Sequence, residues 1–486
     1  MYDESTYDLI VVGAGSGGIG AALTAGRLGL KVLLVEKQPF IGGNAAQSGV
    51  SIWEMGVGGT GIPFDIYKRL KKIPEAVGIY RIGKHRKWQL VSGDRPLHPG
   101  AEIVIDPSLS YRDSLLRHGS VTGIANEAFV RENWHGVPFE PAHFQTVVEE
   151  MLAETENVTV VKNTVFRKVF QDEGCVVGLL LDNGMRVSAR FYIDGTDSGF
   201  LCGAAGSTML FGQESKSVFG EPDAPEIATE RINGVSLIYR ITNRSNGEAE
   251  ASISDKPPVC WWAEDFPVAS IVQYPNGDFN VNMLPTMDGN EFRGYADYRE
   301  AYQECRRRVL AHFAHIRHTY PPYSGYHLSW IAPALGVREG RRVETAYILT
   351  EHDLLAGISG QKHDDCITIV DHPMDTHGKS TGRAGCSEME QPYGVPYRCL
   401  IPKGFKNLLI ASRAAGFSSL AASSCRLSRT MMQLGQAAGT AAWLAACDNY
   451  MLPEVPPDRL RRALRAQHVQ LEFPLTEALN KHLADE

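Results

Sequence analysis

Short apolar runs and polar breaks alternate from the start of the chain. Asp8–Val12 (DLIVV) is a strand-type run, Ile19–Leu28 carries its apolar residues at helical spacing, and Lys31–Val35 is a second strand-type run ending at Glu36. GAGSGG separates the first two. Strand, Gly-rich turn, helix and strand in that order predict one βαβ unit. Residues 42–61 are mostly Gly and small residues and read as loop, and the irregular stretch to 140, with the basic Lys84–Lys87 (KHRK), reads as an insertion. Periodicity returns with an amphipathic helix over Pro141–Glu154. Strands then follow at Val158–Val161, Val165–Phe170, Cys175–Leu181 and Arg186–Ile193, the last two joined by an Asn183-Gly184 turn.

Further on, strand-type runs at Ser236–Ile241, Ala269–Tyr274 and Phe279–Met283 precede a long helix from Tyr295 to about Arg317, closed by Pro321-Pro322. After 330 comes a Gly- and Arg-rich loop, then a strand (Asn407–Ser412) and a long Ala/Gly-rich helix over about 422–447. The charged, amphipathic tail over 451–486 predicts a surface helix.

Composition narrows the function classes. With 48 Lys+Arg against 56 Asp+Glu, the net charge of −8 argues against a nucleic-acid binder. The 486 residues suffice for two to four lobes at roughly 150 residues each. Nine cysteines without a CxxC pair fit a reducing compartment and argue against a disulfide reductase or structural zinc. No secretory signal is visible in MYDESTYD, and Leu9–Gly26 and Thr430–Cys447 are too broken by Gly or Gln to span a membrane. A cytoplasmic protein is expected.

The turn spells Gly13-x-Gly15-x-x-Gly18, after a strand and opening a helix, with an acid, Glu36, closing the second strand. This context predicts a dinucleotide. Gly13 permits the tight turn, Gly15 lets backbone approach a pyrophosphate, and Gly18 lets the helix pack on the sheet. The helix N-terminus at Ser16 and Gly17 offers free N–H groups to phosphate, and Glu36 accepts ribose hydroxyls. Lys37 flanks that acid. A second Gly-rich stretch, Gly42–Gly49 with Gly43, Asn44 and Ser48, runs under a long cofactor.

At this point the chain resembles the FAD-dependent oxidoreductases of the glutathione-reductase-like superfamily, and is similar to their succinate dehydrogenase and fumarate reductase flavoprotein branch. IDGTDSGFLCGAAG (Ile193–Gly206) is similar to the family segment passing the ribose and pyrophosphate, with Gly195, Thr196 and Asp197 at the cofactor. Val165 is placed on the same wall. Asn407–Ala442 resembles the C-terminal flavin motif, in which Ser412-Arg413 ends a strand and a following helix points its N-terminus at the flavin pyrimidine. Thr430, Met431, Met432 and Gln433 hold that place, Arg426 matches an arginine just before it, and the proline common before the threonine is Arg429 here.

The resemblance implies non-covalent FAD in an α/β fold: a discontinuous Rossmann-like FAD-binding domain from 1–60, 141–215 and 330–450, with a β-rich substrate or cap lobe over 216–329. The insertion 61–140 packs over the flavin or at a subunit contact. The expected chemistry is hydride transfer between a small organic substrate and flavin N5. Arg338, in PALGVREGRR, orients the substrate, or else locks loops together with a Glu. His377, in DHPMDTHG (Asp371–Gly378), handles the proton. Tyr393 polarises a carbonyl or is a buried structural residue, and Arg426 completes the set. No metal site is expected. His312, His315 and His318 read as a solvated helical face, and Trp261-Trp262 as pocket floor or core. No second GxGxxG is present, so the electron partner is another protein, a quinone or oxygen, and a homo-oligomer is possible. The rival readings are a flavin monooxygenase and a non-catalytic flavoprotein.

Overall fold

The computed structural model describes residues 4–81, 103–118, 127–243, 269–378 and 385–486. Strand β1 (Glu4–Val12) and strand β2 (Val32–Val35) bury consecutive apolar residues on both faces, as parallel strands covered by helices must. They pair in parallel, Leu9 opposite Val32, and helix α1 (Ser16–Arg27) connects them. Val158–Val161 extends the sheet beyond β2, and Arg186–Asp194 lies parallel to β1 on the other side. Leu408–Ile410 then pairs in parallel with the end of Arg186–Asp194. Two antiparallel strands, Phe166–Asp172 and Cys175–Leu181, complete seven. The α/β class and the Rossmann-like parallel core are as expected.

A second sheet is wholly antiparallel, in the order Ala269–Gln273, Phe279–Met283, Tyr239–Asn243, Tyr326–Ile331. Helix Tyr298–Thr319 packs on it through Ala301, Cys305, Val309 and Ile316, giving this lobe its own core. A third, small sheet joins Ile52–Trp53, His135–Pro138, Tyr80–Arg81 and Val104–Ile105.

Several expectations change. The Ala/Gly-rich helix is two helices, Ser419–Ser424 and Ser428–Asp448. Arg426 sits in the break, its Nε donating to Ser423 O and its Nη2 to Asp375 Oδ2 at 3.0 Å, so a tertiary contact interrupts a sequence with no Gly or Pro there. The tail is not one surface helix: Pro457–Ala466 and Glu477–Leu483 flank a buried stretch at Val469–Leu471. Gln470 anchors that stretch, accepting from Gly58 N and donating its own N–H to Thr60 Oγ1. The histidine face is not uniformly solvated, because His312 is buried against Tyr239 Oη at 2.7 Å while His318 is exposed. Lys84–Lys87 and Trp261-Trp262 lie outside the described residues. No helix among the described residues is long and apolar enough to cross a membrane.

Candidate active site

Where β1 ends, the chain turns at Gly13 with φ +95°. A Cβ on Gly13 would sit 2.9 Å from Thr196 N, and one on Gly18 would sit 1.8 Å from Gly13 O, so both glycines are demanded by backbone meeting backbone. A Cβ on Gly15 would find nothing nearer than 3.8 Å. Gly15 faces open space, as a residue over which a phosphate passes should. The open space is a cavity of 1970 Å³. That is about twice the upper range for a drug-sized ligand, room for a long cofactor and a substrate together.

Glu36 lines one end of the cavity. Its Oε2 accepts from Ala14 N at 2.7 Å and its Oε1 from Gln38 N at 2.8 Å, which fixes the carboxylate on the cavity wall. Next comes the N-terminus of α1, and beside it that of helix Ser428–Asp448, the two joined by Ser16 Oγ and Ser428 Oγ at 3.0 Å. Glycines permit this approach: a Cβ on Gly17 would fall 1.7 Å from Ala411 O, and one on Gly435 would fall 1.9 Å from Gly17 O. Two helix N-termini thus present unpaired N–H groups to one cavity. Arg413 and Asp197 pair at 2.9 Å on the same wall. The donors, the acid and the open glycine fit an FAD.

Of the sequence-predicted cofactor residues, Gly13, Gly15, Ser16, Gly17, Glu36, Lys37, Gly43, Asn44, Ser48, Val165, Gly195, Thr196, Asp197, Arg413 and Met431 line the cavity. Gly18, Gly42, Met432 and Gln433 stand behind that wall. Met432 O meets α1 at Gly20, and Gln433 Nε2 donates to Gly58 O and Thr60 O, so these two hold the helix and the 58–60 loop in place.

Arg338, His377 and Arg426 converge on the cavity beyond the second helix. His377 Nε2 lies 2.7 Å from Asp375 Oδ2, the same oxygen that Arg426 Nη2 reaches at 3.0 Å. Arg338 donates to Gly234 O and Ser236 Oγ, each at 2.9 Å, and has no carboxylate partner among the described residues. It is therefore not the Arg–Glu lock. Arg342 and Glu339 do the structural work: Arg342 is buried against Glu214, while Glu339 accepts from Asn233 N and Ser419 Oγ. Burial and the Arg426 charge lower the Arg338 guanidinium to about 9. Burial also holds the His377 imidazole below its ordinary value, against the pull of Asp375. Asp375 is lowered despite its burial, chiefly by His377 and Arg426.

Tyr393 does not line the cavity. It is fully buried, its hydroxyl 2.6 Å from Ser424 Oγ, which in turn donates to His372 O, so it supports from behind the segment that leads to His377. Sequence reasoning missed Asn233, whose Oδ1 accepts from His377 N at 2.6 Å and whose Nδ2 donates to Asp375 O at 3.2 Å. The Asn233-Gly234 dipeptide was the available signal, since such a pair marks a turn. Also missed were Glu54, 3.2 Å from His372 Nε2, and Arg117, paired with Glu388, all four on the cavity wall.

Short stretches of the chain are similar to curated enzymes. One is 51% identical over 47 residues to a 3-oxosteroid 1-dehydrogenase of Mycolicibacterium smegmatis, covering 10% of this chain and 8% of that protein. Another is 38% identical over 73 residues to a fumarate reductase (cytochrome) of Shewanella frigidimarina, covering 15% and 11%. The matches therefore span about a tenth of these relatives' length. A solved structure, a geranylgeranyl bacteriochlorophyll reductase-like protein from Thermoplasma acidophilum, aligns over 100% of this chain and 97% of its own, at 14% identity and a TM-score of 0.44. A family model described as FAD dependent oxidoreductase matches residues 8–464, so the chain belongs to that family and takes FAD as its cofactor.

Proposed function

We propose that this oxidoreductase moves a hydride between FAD and a small organic anion held by Arg338, with His377 exchanging the accompanying proton. One observation carries the reading. Arg338 presents a guanidinium bonded only to neutral groups, beside an Arg426–Asp375–His377 cluster whose single carboxylate is already shared. The cluster sets two guanidiniums against one carboxylate, and burial and the Arg426 charge disfavour the Arg338 cation, so a negative partner would relieve it. A carboxylate or oxyanion on the substrate supplies that partner in a two-pronged geometry.

Bound FAD supplies the two-electron acceptor or donor at N5. The chain's own residues do the rest. Asp375 holds His377 by Nε2, which leaves Nδ1, without a partner among the described residues, to take or give the substrate proton. Asp375 stabilises the imidazolium that results, and Arg426 keeps Asp375 ionised. Leu284, Pro285 and Ile238 contribute apolar surface to the cavity from the antiparallel lobe. We further assign the FAD as non-covalently held, and the protein to a reducing cytoplasm on its unpaired cysteines.

Anaerobic mixing of the yellow holoenzyme, oxidised or pre-reduced, with a panel of small hydroxy-, keto- and unsaturated acids and their methyl esters tests this. The acids change the flavin colour and the esters do not. Arg338→Lys weakens KM far more than it slows reduction, and Arg338→Ala removes both. Equal reaction with acid and ester would remove the case for an anionic substrate.

A further inference from the structure

Arg429 occupies the first turn of helix Ser428–Asp448, is 6% exposed and lines the cavity. Its surroundings are unusual for a buried cation. Nη1 donates to Ser114 Oγ at 3.0 Å, and Nη2 is shared among Glu54 O, Gly56 O and Ser114 O. The Tyr111 ring lies 5.7 Å from its carbon. Every one of these partners is neutral, and the Glu54 carboxylate is turned to His372 instead. Buried charges are ordinarily paired. A cation in the first turn of a 21-residue helix also opposes the helix dipole, which favours anions there. Both penalties vanish if negative charge sits in the cavity in front of this turn.

The only part of an FAD that gains negative charge in the reaction is the flavin ring. A hydride delivers two electrons and one proton to N5, leaving one negative charge on the pyrimidine edge unless a second proton follows. Gly13, Gly15 and Gly17 at the α1 N-terminus would hold the pyrophosphate, and Ser16 there touches Ser428 at 3.0 Å. The ring system beyond the pyrophosphate would then lie along the turn that carries Arg429, which lines the same cavity.

We propose that Arg429 is the counter-charge for the reduced flavin. Its guanidinium, held by the carbonyls of Glu54, Gly56 and Ser114, favours the singly protonated anionic reduced form and so raises the flavin's reduction potential. The inference rests on FAD occupying this cavity but not on the substrate proposed above, since the potential is read with a chemical reductant.

The test compares Arg429→Gln, which removes the charge, with Arg429→Lys, which keeps it. Equilibrium reduction of the FAD-bound proteins by dithionite beside a reference dye should show Gln shifted at least tenfold toward oxidised flavin, about 30 mV for a two-electron couple. Lys should stay near the native value. Sulfite, which adds to flavins whose pyrimidine edge tolerates negative charge, should bind at least tenfold more weakly to Gln than to Lys. An unchanged potential and sulfite affinity in Gln, or an equal drop in both variants, would overturn the proposal in favour of a purely structural strut. If Gln fails to hold FAD, the native protein alone decides. Proton uptake of one per two electrons, persisting into mildly acidic solution, supports the counter-charge, and uptake of two there overturns it.

Discussion

At the scale of single residues, the site turns on which groups are charged before substrate arrives. Burial outweighs the Asp375 attraction at His377 and holds its imidazole below its ordinary value, which favours the neutral form that can accept a proton. The sign of the pH dependence follows. In the oxidative direction kcat/KM is flat through neutrality and falls on the acid side, with a midpoint below the ordinary histidine value of about 6.5. His377→Gln, with FAD retained, loses about 10²–10⁴-fold in kcat together with that acid limb. A limb that persists unchanged in the variant assigns the proton to another group. The placing of Arg338, His377 and Arg426 at the cavity was legible from their loop positions and the family resemblance, although Arg342 and Glu339 of the same loop serve structure instead. Asn233 was not, because its place at the site comes from two hydrogen bonds to Asp375 and His377, more than a hundred residues away.

Elements were legible where one period dominated and obscure where a tertiary contact overrode it. Two buried parallel strands around a Gly-rich turn leave an unambiguous trace, whereas the break before Ser428 is made by Arg426 reaching Asp375 and leaves none. Helix Tyr298–Thr319 shows the same limit. Three histidines at three-residue spacing look equivalent in sequence, yet burial lowers His312 to about 3 while His318 stays exposed. His315 adds a smaller push in the same direction. Between about pH 6.5 and 3 the unfolded chain binds the His312 proton and the folded chain does not. Stability from this site is therefore complete above about pH 6.5 and is lost as pH falls, by about 3–5 kcal/mol in all. His312→Gln starts from a lower stability at neutral pH because the Tyr239 contact is weakened, and then declines less steeply in acid. Urea midpoints of both proteins across that range read the difference, and parallel declines would mean that His312 is protonated within the fold.

On the scale of the whole molecule, the cavity belongs to no single stretch of chain. Gly13 to Ser48 supply one wall, Gly195 to Asp197 another, the antiparallel lobe a third, and Ser412 to Met431 close it. The sequence could show each motif but not that Ser16 and Ser428, 412 positions apart, touch. Such convergence ties cofactor binding to global folding. A ligand that contacts all of these segments and binds only the folded chain stabilises it by about 2.7 kcal/mol at a hundred times its Kd. On the non-covalent assignment proposed above, acid precipitation of the yellow protein should leave the colour in the supernatant. The apoprotein prepared by mild removal of FAD should then melt a few degrees lower, and adding FAD back should restore the transition in proportion to the logarithm of its concentration. AMP, which reaches only the Glu36 end, should give a smaller rise than FAD, because it leaves the Ser428 helix and the lobe unconnected. Colour remaining in the pellet would contradict the non-covalent assignment, and an equal rise with AMP would mean that the two ends of the cavity do not act as one.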